Sequence, residues 1–388
     1  MTNKVTEDIY YIGIFDKNID LFESQYTVSN GISYNSYIIF DEKTVIMDTV
    51  DKRASKEWIE NINEQFKNHK DPDYLVVSHL EPDHSANIME VVKKFPNMKI
   101  VLSTKATSMI TQFFREEGLE NKLIPVKEGE SLDLGKHKLS FYMAPMVHWP
   151  EVMFTYDETD KVLFTADAFG KFGNTTDLEE DWLPEARRYF INICGKFGSQ
   201  VQAVLKKAEN LDIKIICPLH GTILKENLAY YINKYDVWSS YNSENNGIIV
   251  AYNSIHGNTK NAINNLLEKL NVKFQNVKSF DLARCDMSEV VGYAFAYDKM
   301  IIASPTYDAG LFPTTEKFLR TLKHKNYQNR KVGIIENGSW APMSGKLMKE
   351  LFAEMKDIEI VEPIVTIKTT ANSATEEQFS KLIDSMIN

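Results

Sequence analysis

The sequence predicts a two-domain α/β protein, and three observations carry that reading. The chain has 388 residues, more than one hydrophobic core usually serves. Up to about residue 240, short runs rich in valine, isoleucine and tyrosine recur between helix-like stretches, the mark of a layered α/β architecture. From residue 247 onward, strand-like and helix-like segments alternate regularly, which indicates a small doubly wound parallel sheet.

In the first part, strands are expected over residues 9–14, 36–40, 44–48, 74–78, 99–103, 138–143, 152–156, 161–166 and 213–217, where β-branched and aromatic residues cluster between turn formers. Helices are expected over 55–67, 86–95, 184–211 and 225–238. The stretch 239–247 is polar, turn-prone and free of aliphatic residues, so the domain boundary is placed there, giving domains 1–246 and 247–388. In the second domain, strands are expected over 248–252, 277–282, 300–304, 331–336 and 365–367, and helices over 259–270, 315–323, 345–355 and 375–387. Ligands of such a sheet lie at the carboxyl ends of its strands.

Composition excludes several partners. The formal net charge is -10, with 54 acidic against 44 basic residues, which disfavours nucleic acid, a partner bound by lysine and arginine. No apolar run approaches the roughly 20 residues needed to cross a bilayer, and residues 1–7 lack a secretory core, so a cytoplasmic location is expected. Cys194, Cys217 and Cys285 are odd in number and far apart, which argues against a disulfide framework or a Cys-x-x-Cys pair.

The densest chemistry lies in His79 Leu80 Glu81 Pro82 Asp83 His84 Ser85, directly after the strand expected at 74–78. Two imidazoles and two carboxylates in one turn suit iron, zinc or manganese, and are costly to place beside a core unless a cation neutralises them. A polar loop with Asp83 capping the next helix would explain part of the motif, but would need neither histidine nor Glu81. Further donors follow other strands: His148 in Val147 His148 Trp149, Asp167 in Ala166 Asp167 Ala168, and His220 in Leu219 His220 Gly221. Any one alone reads as a hydrogen-bonded loop residue. Together they could converge on one sheet edge as a two-metal site.

In the second domain the first strand runs into Ser254 Ile255 His256 Gly257 Asn258 Thr259. Hydroxyls, an amide and a glycine at a helix N-terminus suit a phosphate; an ordinary turn capped by Thr259 fits equally well. Two more loops follow at strand ends, Ser304 Pro305 Thr306 Tyr307 Asp308 and Asn337 Gly338 Ser339 Trp340. Each pairs small residues with an aromatic able to stack on a planar ring. Three loops on one edge point to FMN, and residues 247–388 resemble flavodoxin. The Gly-x-Gly-x-x-Gly signature of dinucleotide binders is missing.

The order His79, Glu81, Asp83, His84, His148, Asp167, His220 resembles the metallo-β-lactamase superfamily, an αββα sandwich with a two-metal cleft. Its hydrolases usually show His-x-His-x-Asp-His, where this chain has Glu81 at the second histidine. With the flavodoxin-like part, nearly the whole chain is similar to the flavodiiron proteins, or A-type flavoproteins. Tyr34 Asn35 Ser36 Tyr37, Asp167 Ala168 Phe169 Gly170 and Arg187 Arg188 Tyr189 add to the likeness.

The resemblance implies one iron held by His79, Glu81 and His148, a second by Asp83, His84 and His220, and Asp167 as the bridge. It also implies an oxidoreductase in which FMN relays electrons to the diiron site, reducing dioxygen to water or nitric oxide to nitrous oxide. The electron donor expected from the family is rubredoxin with an NADH-dependent reductase, and the assembly a head-to-tail homodimer or a dimer of dimers. Three carboxylates against two ferrous ions leave the site close to neutral once a hydroxide joins, and the extra hard oxygen of Glu81 favours iron over zinc. A zinc hydrolase with an accessory flavodoxin-like module, and a flavin-only redox sensor or electron carrier, are the alternatives.

Overall fold

A computed structural model describes residues 4–115, 118–174 and 182–387. By packing, the chain divides into Met1–Phe190 with Ser199–Asp236, and Ile191–Gly198 with Val237–Asn388.

Besides two small two-stranded sheets, Ile14–Asp16 with Ile32–Tyr34 and Leu21–Phe22 with Tyr26–Thr27, the first unit holds two large ones. One has six strands in the order Ile9–Tyr11, Tyr37–Ile39, Val45–Met47, Tyr74–Val77, Lys99–Ser103, Leu123–Val126; the first two pairings are antiparallel and the rest parallel. The other has five, Ser131–Asp133, Lys138–Met143, Met153–Asp157, Val162–Phe164 and Ile215–Cys217, of which only the last pairing is parallel. Their inner faces share one core, in which Ile39, Met47, Val76 and Val101 meet Leu139, Phe141, Met153 and Phe164. Such runs are apolar because both faces of a covered sheet are buried. Helices Ser55–Phe66, Ile88–Lys94, Thr104–Phe113 and Trp182–Ile193 complete an α/β sandwich of the metallo-β-lactamase type.

Two expected elements are divided. The strand expected over 9–14 becomes Ile9–Tyr11 and Ile14–Asp16, because the chain at Gly13 runs against Tyr34: a Cβ there would lie 2.5 Å from the Tyr34 carbonyl oxygen. The long helix expected over 184–211 is Trp182–Ile193, a 3-10 turn Gly195–Phe197, and Gly198–Ala208. Gly198 allows the close pass, since an added Cβ would meet the Ser239 carbonyl oxygen at 2.3 Å. Helices Thr104–Phe113 and Met287–Ala296 were not expected. Their caps are Ser103 and Asp286, whose side chains accept the N–H groups of Ala106 and Ser288.

The second unit is a sheet in the order Val277–Asp281, Asn245–Tyr252, Tyr297–Tyr307, Arg330–Asn337, with Ile358–Ile360 and Val365–Ile367 both pairing the last of these. These pairings are parallel, and Gly310–Leu311 adds a short antiparallel hairpin. Numbered along the chain the order is 2-1-3-4-5, that of flavodoxin-like folds, which bind ligands where the order reverses. Ile263, Leu266 and Leu270 of helix Asn258–Lys273 join Phe379, Leu382 and Met386 of helix Ser373–Ile387 in the core on one side of it. No helix among the described residues is long and apolar enough to cross a membrane.

Candidate metal centre and flavin pocket

Four strand ends deliver the donors of the first unit. His79 to His84 follow Tyr74–Val77, His148 follows Lys138–Met143, Asp167 follows Val162–Phe164, and His220 follows Ile215–Cys217. Around His79, the Asp48 carboxylate accepts the Ser78 N–H at 2.6 Å, and the Thr49 hydroxyl donates to the His84 carbonyl at 2.7 Å. The stretch Tyr34 Asn35 Ser36 Tyr37 braces the His220 turn. The Asn35 amide donates to the carbonyls of Pro218 and Gly221 at 2.8 and 2.9 Å, and the Tyr37 hydroxyl to Pro218 at 3.0 Å. Ala166, just before Asp167, sits at φ +48, a left-handed conformation that costs a non-glycine residue about 1–2 kcal/mol.

All seven expected residues come together in two adjacent clusters. In the first, Glu81 Oε2 lies 3.3 Å from His79 Nε2 and 3.1 Å from His148 Nε2. In the second, Asp83 Oδ2 lies 3.4 Å from both His84 Nε2 and His220 Nε2. Asp167 serves both: Oδ2 is 2.9 Å from His148 Nε2 and 3.7 Å from His79 Nε2, whereas Oδ1 is 3.1 Å from His84 Nε2 and 3.7 Å from His220 Nε2. Asp83 does not cap the short helix Pro82–Ser85. Glu81 occupies the cap position, and its carboxylate turns instead to the histidines.

The electrostatics show what the clusters lack. Burial would hold His79 down, but hydrogen bonds to Glu151 and Glu81 carry its pKa well above the usual value. Burial is likewise overcome at His148, which Asp167 and Glu81 raise to about 9. Glu81, which burial would push up, is brought down to about 2 by His148 and His79. The raised imidazoles and the lowered carboxylate thus compensate one another. They do so incompletely, because both Asp83 oxygens and His84 Nδ1 are buried without a hydrogen-bond partner among the described residues. His84 Nε2 and His220 Nε2 also face each other at 3.1 Å. Orphaned carboxylate oxygens and converging imidazole nitrogens are a donor set that fits cations.

Rings of Phe22, Tyr34 and Tyr189 stand 5.3, 5.8 and 5.5 Å from the His220 ring, which is fully buried, whereas Asp83 of the same cluster lines a small cavity with Phe22 and Tyr34. Sequence reasoning did not find Phe22, nor Glu151, which accepts His79 Nδ1–H at 2.8 Å. The position of Glu151 three residues after His148 was the available signal.

In the second unit the three expected loops line a cavity of about 520 Å³ at the carboxyl ends of the strands, within the roughly 300–1,000 Å³ of small-molecule sites. Ser254, Ile255, His256, Asn258 and Thr259 form one wall, Pro305, Thr306, Tyr307 and Asp308 another, and Asn337, Gly338, Ser339 and Trp340 the third. Trp340 is 84% exposed and Tyr307 45%, ready to stack on a flat ligand. Gly257 and Ser304 are not among the residues that line the cavity. Gly257 takes φ +92 as the helix cap, and Ser304 is fully buried, its carbonyl accepting the Ser344 hydroxyl at 2.8 Å. Ala309, Ala341, Met343 and Thr369 complete the lining; Thr369, just past the strand Val365–Ile367, could have been found by extending the strand-end rule to that strand.

A lactamase-type sandwich with paired cation-ready clusters, in one chain with a flavodoxin-type sheet and its open pocket, defines a class of metal- and flavin-binding oxidoreductases. Comparison with known proteins narrows it. Residues 32–221 match the family described as ODP family beta lactamase. The anaerobic nitric oxide reductase flavorubredoxin of Pectobacterium atrosepticum is 30% identical over 353 residues, covering 88% of this chain and 68% of that protein. The nitric oxide reductase of Moorella thermoacetica is 29% identical over 374 residues, covering 94% and 92%. The structure of rubredoxin oxygen:oxidoreductase from Desulfovibrio gigas superposes with a TM-score of 0.90 at 25% identity, covering 100% of this chain and 98% of that one. The chain belongs to the flavodiiron protein family.

Proposed function

We propose that this oxidoreductase reduces dioxygen to water, or nitric oxide to nitrous oxide and water, at two non-haem irons supplied with electrons through FMN. The observation that carries the reading is the division of Asp167, whose two oxygens face different clusters. His79, Glu81 and His148 would hold one iron, Asp83, His84 and His220 the other, and Asp167 would bridge them. A pair of ferrous ions supplies electrons and open coordination positions for a diatomic gas, and a flavin accepts and releases the replacement electrons singly.

The chain's own part is to hold, neutralise and shield. Glu81, Asp83 and Asp167 contribute three negative charges at 1–17% residue or side-chain exposure, which offsets most of the charge of two divalent cations. Glu81 in place of a third imidazole adds the hard oxygen that favours iron. The rings about His220 shield its imidazole from bulk water. In the second unit, backbone N–H groups opening helix Asn258–Lys273 would receive the FMN phosphate, and Tyr307 and Trp340 would cover the isoalloxazine. The division of labour falls between residues 1–246 and 247–388. The names of the relatives support a rubredoxin-like donor; an NADH-dependent reductase feeding that donor, and a cytoplasmic head-to-tail homodimer or dimer of dimers, complete the proposal.

The test is metal and flavin analysis followed by anaerobic assay of the reduced protein with each gas. Iron near two atoms and FMN near one per chain, with gas consumption lost on flavin removal, is the expected result. Zinc in place of iron, with hydrolysis indifferent to flavin, would overturn it.

A further inference from the structure

The two clusters are not backed alike. Behind His79 stands Glu151, whose side chain is fully buried. Its Oε1 accepts both His79 Nδ1–H at 2.8 Å and the Leu80 N–H at 3.0 Å. Its Oε2 is buried and has no hydrogen-bond partner among the described residues. Behind His220 stands only a neutral group, the Ser33 carbonyl at 2.8 Å from Nδ1. Behind His84 there is no acceptor, since Nδ1 is buried and unpartnered among the described residues.

The Glu151 backbone is fixed as firmly as its side chain. Its carbonyl accepts the Ser103 hydroxyl at 2.7 Å, and two residues on, the Met153 N–H donates to the Ser78 carbonyl at 3.1 Å. The strand that carries His79 and the turn that carries Glu151 are thus tied on either side of the imidazole.

A carboxylate taken out of water is destabilised by several kcal/mol unless donors or opposite charge compensate it. With His79 neutral, as ligation requires, two neutral donors on one oxygen compensate Glu151 only in part, and the bare Oε2 leaves the rest of its charge directed at its surroundings. The ring in hydrogen-bond contact with this carboxylate is that of His79. Nδ1–H donation to a carboxylate fixes the tautomer with the lone pair on Nε2, the nitrogen that faces Glu81 and Asp167, and raises its strength as a donor. Counting carboxylates in contact with a ligand, the first position has Glu81, a share of Asp167 and Glu151 behind it, whereas the second has Asp83 and a share of Asp167; the buried Asp48 acts on His84 and His79 alike and belongs to neither.

We propose that Glu151 is a positioning residue that makes the two metal positions unequal. It locks His79 for ligation and lends its charge, so that the position of His79, Glu81 and His148 binds metal more tightly and stabilises the higher oxidation state. This inference rests on the diiron reading given above.

The test uses the full chain stripped of metal and retitrated anaerobically with Fe(II), for the native protein, E151Q and E151D. E151Q keeps the shape and an acceptor oxygen but removes the charge. It is expected to leave one Fe(II) step unchanged and to weaken the other by about 10–100-fold. In the reconstituted protein, the midpoint at which the mixed-valent EPR signal appears moves to more positive potential. E151D keeps the charge, and its midpoint is expected nearer to the native one than that of E151Q. A role in packing alone predicts the reverse order, with the isosteric E151Q native-like and the shortened E151D impaired. That order, or native affinity and midpoint in E151Q, overturns the inference. Should E151Q fail to fold by far-UV circular dichroism, the E151D midpoint decides: a native-like value supports the proposal, and one displaced to positive potential overturns it. Two Fe(II) steps in the native protein keep the diiron reading intact whatever the variants do; their absence sinks that reading separately.

Discussion

Asp167→Asn keeps the size of the side chain while halving its capacity as a bridging acceptor, so both metal positions should suffer together. The expected outcome is loss of more than one iron per chain, with affinity reduced beyond the roughly 10–100-fold typical of outer partners, read by metal analysis after dialysis. Glu81→His removes the extra oxygen donor and restores the hydrolase pattern. In cells supplied with equal iron and zinc it should shift the bound metal towards zinc, which elemental analysis of the purified protein will read. Metal uptake should also depend on pH. His148, raised to about 9 in the metal-free chain by Asp167 and Glu81 against the effect of burial, must lose its proton before it can ligate. Apparent affinity therefore rises as pH approaches about 9, by about tenfold per unit for each proton displaced, and levels off above it. The residues of the two clusters were legible in the sequence because four of them are packed between His79 and His84 and the others each follow an apolar strand. Glu151, Phe22 and Ser33 were not, because their parts depend on which loops meet in space.

Among the elements, the parallel strands and most amphipathic helices were readable, whereas the breaks, the largely exposed helix Thr104–Phe113 and the largely buried helix Met287–Ala296 were not. Met287–Ala296 buries Val290, Val291, Ala294, Phe295 and Ala296, so it shows no polar stripe from which a helical period could be recognised. The break within 184–211 depends on Gly198 passing close to Ser239, a tertiary fact. Gly257 is a glycine whose conformation carries a function. At φ +92 it opens the helix that would receive phosphate, and Gly257→Ala adds strain of about 1–2 kcal/mol. FMN affinity, measured by quenching of flavin fluorescence, should fall by about 5–30-fold. Elsewhere, buried His137 joins Asp157 at the end of one strand to Asp8 before another, at 3.0 and 3.3 Å. Burial would lower its pKa, but Asp157 and Asp8 raise it to about 9. A raised histidine contributes stability in full below its unfolded pKa of about 6.5 and loses it as pH climbs through about 9. The melting temperature should fall over that window by an amount corresponding to about 1–3 kcal/mol, and His137→Gln should flatten the profile.

For the whole molecule, the two compact units and their separate ligand sites predict separable responses to ligand. Calorimetry of the metal-free, flavin-free chain should show that iron raises one transition and FMN the other, each by about 2.7 kcal/mol at a hundredfold excess over its dissociation constant. A single transition that moves equally with either ligand would show that the units unfold together. The two-part architecture was visible in the sequence as a change of rhythm, while the assignment of residues 191–198 to the second unit was hidden inside an apparently continuous helical pattern. The pocket rim has one further consequence. Trp340, Tyr307 and Ile255 are exposed at 84%, 45% and 45% when no ring covers them, and bare aromatic and aliphatic surface adheres to other bare surface. On the proposed FMN binding, newly made protein short of the vitamin-derived cofactor would carry an adhesive spot that its finished form covers, and riboflavin supply would set how much of the pool is prone to clump.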